Sequence, residues 1–143
     1  MNEKEFEGEL KRVLKRDKSY AVKDWKYQLI LRHNGVDERK RVFPEINKAI
    51  KNDIKGVYVY MRNGFCLYVG AGRLRERLHM HYLESIHNSK SRRGSKRHYK
   101  FFGKNLGEMR IFCKEMNEDD KKAKVIEQML TYVLKPKFYE EDK

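Results

Sequence analysis

Gly56-Val57-Tyr58-Val59-Tyr60-Met61-Arg62-Asn63-Gly64-Phe65-Cys66-Leu67-Tyr68-Val69-Gly70 is the stretch from which the rest of this chain can be read. β-Branched and aromatic residues flank Asn63-Gly64, the strongest short-range signal of a hairpin turn. Successive side chains of a strand point to opposite faces, so the register decides which residues meet. A three-residue loop from Arg62 to Gly64, with the glycine in a left-handed bulge position, sets Met61 opposite Phe65, Val59 opposite Leu67 and Val57 opposite Val69. That face is apolar throughout. The other face pairs Tyr58 with Tyr68 and Tyr60 with Cys66, which makes Tyr58 and Tyr68 cross-strand neighbours. Tyrosine is an ordinary strand residue, however, and an amphipathic hairpin has no chemistry of its own.

The segments beyond the hairpin are more specific. Ala71 to Leu83 reads as a helix starting directly after Gly70, with Leu74, Leu78 and Tyr82 at helical spacing. Arg77 and His81 share one face of it, bordering Leu74 and Leu78. Met109 to Cys113 reads as a strand. Asn117 is the expected N-cap of a second helix, whose first turn carries Glu118, Asp119 and Asp120, where the helix dipole favours negative charge. Its apolar stripe is Ile126, Met129, Leu130, Val133 and Leu134, and Pro136 ends it. At about 100° per residue, Glu127 falls just beyond the Leu134 edge of that stripe. A carboxylate at such a border can be an ordinary surface glutamate, or it can point into a cleft from a rigid support, as a metal site requires.

In the order hairpin, arginine helix, strand, glutamate helix, residues 54–140 resemble the GIY-YIG nucleases. Gly56-Val57-Tyr58 and Tyr68-Val69-Gly70 stand for the two motif runs, Arg77 for the catalytic arginine and His81 for the residue one turn later. Glu127 matches the metal-binding glutamate, and Pro136-Lys137-Phe138 is similar to the Pro-x-aromatic segment beyond it. Three features depart from the pattern: the short spacing of nine residues between the tyrosines, Ala71 in place of a lysine or other polar residue, and Tyr139 in place of an asparagine. The resemblance implies an α/β fold, a small central antiparallel sheet flanked by helices, with residues 1–53 as an N-terminal elaboration and 141–143 as a tail. It implies a metal-dependent endonuclease that hydrolyses DNA phosphodiester bonds, in restriction, a mobile element or repair. Tyr58 would then be the base, His81 the acceptor of its proton, and Tyr68 the group that positions water or phosphate. Arg77 would hold the non-bridging oxygens, and Glu127 would bind one Mg²⁺ or Mn²⁺ per active site. A compact restriction enzyme of this kind would form a homodimer to cut both strands. The alternative is a nucleic-acid-binding or accessory protein that kept the fold without the catalysis.

Charge agrees with a polyanionic partner. Lysine and arginine number 34 against 21 acids, a net charge of +13, which suits binding driven partly by counterion release. Between His87 and Lys104 lie Lys90, Arg92, Arg93, Lys96, Arg97, Lys100 and Lys104 with no acid among them, interleaved with Tyr99, Phe101 and Phe102. This stretch reads as a mobile connection that orders on a phosphate backbone, with Arg73 and Arg75 as further contacts; a solvated basic loop is the plainer reading. The two cysteines, both in expected strands, need no disulfide, and with no leader-like segment they fit a reducing cytoplasm. No apolar run reaches membrane-spanning length, so an integral membrane helix is excluded. The histidines have no zinc-ligand spacing.

The first 53 residues are less specific. Glu3 to Lys18 can form a basic amphipathic helix with Phe6, Leu10, Val13 and Leu14 on one side. Trp25, Tyr27, Leu29 and Leu31 alternate with polar residues up to Asn34-Gly35, and Val42-Phe43 comes next, which predicts a second hairpin. A short helix from Pro44 to about Asn52 then leads into Gly56. These elements read as a cover for the core or as an arm that contacts DNA.

Overall fold

A computed structural model describes residues 4, 25, 27–86, 96–116 and 120–140 of the chain. Four strands form one antiparallel sheet: β1 (Tyr27–His33), β2 (Lys55–Arg62), β3 (Phe65–Arg73) and β4 (Gly107–Glu115), in the spatial order β1-β4-β2-β3. The helices among the described residues are α1 (Arg39–Ala49), α2 (Leu74–Ile86), α3 (Lys96–Lys104), α4 (Asp120–Leu134) and the single turn α5 (Lys137–Glu140). The fold class is therefore mixed α/β with a central antiparallel sheet.

Strand alternation divides the interior in two. On one face Tyr58, Tyr60, Leu67 and Tyr68 pack against Val42 and Ile46 of α1, Leu74, Leu78 and Tyr82 of α2, Phe101 and Phe102 of α3, and Phe138 of α5. On the other, Val57, Val59, Cys66 and Val69 pack against Ala123, Ile126, Leu130 and Leu134 of α4. A sheet buried on both faces explains why β2 is almost continuously apolar or aromatic.

The hairpin register differs from the sequence expectation. Asn63 and Gly64 alone make the turn, both at positive φ (46° and 83°), and Arg62 pairs with Phe65 and Met61 with Cys66. An irregularity between Tyr60 and Met61 then sets Tyr60 opposite Tyr68, Val59 opposite Val69 and Tyr58 opposite Gly70. Positive φ at both turn residues fits an Asn-Gly pair, and the bulge restores the parity that the shorter loop would have broken. Tyr58 and Tyr68 thus still share a face, but diagonally, with ring centroids 6.0 Å apart. Cys66 and Leu67 exchange the faces expected of them, and Phe65 is exposed.

Three other boundaries move for physical reasons. β3 continues through Ala71, Gly72 and Arg73, because β2 still offers Val57, Gly56 and Lys55 as partners; α2 begins at Leu74, whose N–H bonds the Ile54 carbonyl at 2.9 Å. The expected second hairpin does not form. β1 pairs instead with β4, from Tyr27 opposite Cys113 to His33 opposite Gly107, and Val42-Phe43 lies inside α1. Pro44 sits within that helix, since burying Val42 and Ile46 one turn apart requires helix on both sides of it. Residues 96–104 are helical rather than a connection, because Tyr99, Phe101 and Phe102 are core residues. The helix expected over residues 3–18, the N-cap Asn117 with Glu118 and Asp119, and the basic residues Lys90, Arg92 and Arg93 lie outside the described residues, apart from an exposed Lys4.

His33 is fully buried among Tyr60, Tyr82 and Phe102, and neither ring nitrogen has a hydrogen-bond partner among the described residues. Burial, aided by the neighbouring His81 ring and the Arg62 charge, lowers its pKa from 6.5 to about 3. Unfolded chains therefore take up a proton that the folded chain refuses, so this contribution is complete above 6.5 and is lost as pH falls towards 3. In His33→Phe the loss of unfolding free energy between pH 7.5 and pH 5, measured by urea denaturation, should be smaller than in the parent by about 2 kcal/mol.

Candidate active site

The tyrosine face carries the site. Tyr58, on the central strand β2, is 1% exposed, and its hydroxyl lies 2.6 Å from Nε2 of His81 on α2. Nδ1 of the same ring lies 2.6 Å from Oε1 of Glu84, one turn along the helix. Tyr68 on β3 is held from a third direction, its hydroxyl 3.1 Å from Nε2 of His98 on α3. The His81 and His98 rings are near parallel, 6.0 Å apart. Four elements thus converge on two phenols, two imidazoles and one carboxylate.

Two glycines make this possible. A Cβ on Gly70 would run into the Tyr58 hydroxyl and ring, so the second motif glycine is the space the first motif tyrosine fills. Gly72 has a φ of +144°, and a Cβ there would come within 2.8 Å of Arg77 Nε. Arg77 is exposed and lines a cleft of about 540 Å³ with Gly72, Arg73 and Met80 on one side and Ala123 and Lys124 of α4 on the other.

Burial dominates the electrostatics. It raises Tyr58 well above its ordinary value, with Tyr68 and Tyr60 adding to the effect and Arg77 opposing it. Burial and the Arg77 charge lower His81 to about 3, so the ring is neutral over the physiological range. Burial raises Glu84 to about 7, against the attraction of His98 and Arg77. Tyr58 therefore rests as a neutral phenol in hydrogen-bond contact with a neutral imidazole.

Glu127 is half-buried on α4, and its Oε2 accepts no hydrogen bond among the described residues, although Lys124 Nζ lies 3.5 Å away. Burial raises the pKa of Tyr68 and of Tyr139, and the Glu127 charge adds to both shifts. A carboxylate oxygen that accepts no hydrogen bond and has only a 3.5 Å ion pair to an exposed lysine is the kind of donor that a largely hydrated divalent cation takes up. No group of three or more histidine, cysteine, aspartate or glutamate side chains that could hold a metal occurs among the described residues.

The basic residues separate into two kinds. Arg75 donates to the carbonyls of Ile50 and Asn47 at 2.9 Å each and so caps the C-terminus of α1. Arg97 donates to the Phe138 carbonyl at 2.9 Å and lies 4.2 Å above the Phe138 ring. Both arms hold the fold. Arg73 is exposed, with Glu76 3.6 Å away. Lys96, Lys100 and Lys104 are exposed and recur every four residues, forming a stripe along α3.

Sequence reasoning brought Tyr58, Tyr68, Arg77, His81 and Glu127 forward, and missed Glu84 and His98. The spacing His81-x-x-Glu84 was the available signal for the first. For His98 it was the spacing of Tyr99 and Phe102, which marks a helix with a buried face.

No family model, curated protein or solved structure matches the chain. Gly70→Ala should push Tyr58 away from His81 and destabilise the protein by about 1–3 kcal/mol in urea denaturation. An unchanged midpoint would mean that Tyr58 does not lie over Gly70.

Proposed function

We propose that this chain is a metal-dependent DNA endonuclease with a GIY-YIG-like fold. The observation that carries the reading is the buried 2.6 Å contact between Tyr58 and His81, the second of which is bonded in turn to Glu84. A protein that needed only charge to hold nucleic acid would have no use for a phenol and an imidazole so arranged out of solvent. The cleft beside Arg77 and the exposed lysine stripe of α3 support a phosphodiester substrate.

Tyr58 loses its proton to Nε2 of His81 as water is activated, a general-base step relayed through one side chain. Tyr68, less buried than Tyr58 at 8% exposure, orients the water or a phosphate oxygen. Arg77, permanently charged and forked, holds the non-bridging oxygens and stabilises the charge that builds on them. Glu127 would hold Mg²⁺ or Mn²⁺, which when bound would supply positive charge for the leaving oxygen. Lys96, Lys100, Lys104 and Arg73 contact the backbone on either side, and two copies acting together would cut both strands.

Purified chain incubated with supercoiled plasmid and Mg²⁺ or Mn²⁺ should nick or linearise it, and chelator should stop the reaction. Tyr58→Phe, Arg77→Ala and Glu127→Ala should each lower the rate by about a hundredfold or more. Full activity in Tyr58→Phe would remove the base assignment. Salt-sensitive DNA binding without cleavage of any substrate would leave a binding protein.

A further inference from the structure

Glu84 is buried to 1% exposure, its Oε2 has no hydrogen-bond partner among the described residues, and Oε1 makes the 2.6 Å contact to His81. A carboxylate in that setting needs a reason, since burying one without full pairing is costly. The two hydrogen bonds of His81 run through a single ring and constrain each other. With Glu84 ionised, Nδ1–H donates to it, Nε2 is bare, and the Tyr58 hydroxyl donates to Nε2. One more proton on the pair has two places to go: on Oε2 it would leave Nδ1–H donating to Oε1 and Nε2 bare, but as a buried hydroxyl with no partner among the described residues; in the 2.6 Å contact between Nδ1 and Oε1 it is shared, and Nε2 then carries its own hydrogen and donates to the Tyr58 oxygen.

We propose that Glu84 is a positioning residue that sets which way the Tyr58–His81 hydrogen bond points: ionised, it holds His81 as a proton acceptor for Tyr58, and uptake of one proton by the pair reverses the bond and disarms the tyrosine. In the armed state the Tyr58 proton passes to Nε2 as the Nδ1 proton passes to Oε1, so the pair stores the proton as neutral histidine and neutral carboxylic acid. No buried imidazolium forms. The value of about 7 for Glu84 puts the switch near neutrality.

The surrounding groups fit this assignment. Arg77 on α2 and His98 on α3 favour the ionised carboxylate. Tyr58 and Tyr60 on β2, Tyr68 on β3 and His33 on β1 are neutral near pH 7, each with its pKa moved by burial away from the charged form. Burial lowers His98 below its ordinary 6.5, so Glu84 is the group of this cluster whose value lies near 7. The catalytic consequence rests on the nuclease reading, whereas the direction of the hydrogen bond does not.

The test is the ¹⁵N spectrum of the histidine side chains in the full chain between pH 5.5 and 8.5, with His81 assigned by the loss of its signals in His81→Gln. In the parent, Nε2 should be unprotonated at the alkaline end and protonated at the acid end, crossing near pH 7; in Glu84→Gln the crossover should be absent. Nε2 in one state across the whole range in the parent overturns the proposal, and that measurement needs no variant to fold. Cleavage rate read in parallel should fall about tenfold per pH unit below the crossover in the parent and be flat in Glu84→Gln. A crossover without DNA cleavage at any pH would remove the nuclease reading and leave the switch standing. A crossover with a flat cleavage profile would show that Glu84 has no part in the reaction.

Discussion

The hydrogen bond between Tyr58 and His81 ties the middle of the sheet to α2, and much of the surrounding structure exists to permit it. The tyrosine must lie flat over β3, which Gly70 allows by having no side chain. The histidine must be neutral, which burial enforces, and it must be turned, which Glu84 does from one helical turn away. Phe102 of α3 stacks on the His81 ring 4.5 Å away and excludes water from one side. Each of these is a packing constraint as much as a chemical one, so Tyr58, His81 and Glu84 are held rigid because the core is.

The basic character of the chain has two uses. Arg75 and Arg97 spend their guanidinium groups on helix-end carbonyls and an aromatic ring, where planar, multiply donating cations are well suited. Lysines, which bind as point charges on flexible stems, occupy the outer face of α3. A surface with this division can lose exposed lysines without unfolding, whereas loss of either arginine would loosen α1 or α5. Net charge by itself does not distinguish the two groups; hydrogen-bond partners do.

How far each element was legible in the sequence depended on how local its signal was. Asn63-Gly64 marks its turn because few other pairs take positive φ at both positions. The faces of Tyr58 and Tyr68 came out right although the register did not, because a shorter loop and a bulge change the parity twice. Glu84 lay one residue beyond the expected end of its helix. His98 lies in a stretch whose dense positive charge is a loop signal, whereas Tyr99, Phe101 and Phe102 make it a helix only through the core they enter. The strand β1 was recognised, but its partner was not, since alternation names a strand without naming its neighbour.

By itself, then, the sequence determined the elements that carry their own periodicity: the hairpin, the helix with Arg77 and His81, and the helix with Glu127. It also determined that the chain is strongly basic. Tertiary structure decided which face each element buries, that β1 joins β4 across more than seventy residues of chain, and that a carboxylate three residues from a histidine is sealed from water. The physical reason is that periodicity is a property of neighbours along the chain, whereas burial, and with it the protonation of Tyr58, His81 and Glu84, is a property of neighbours in space.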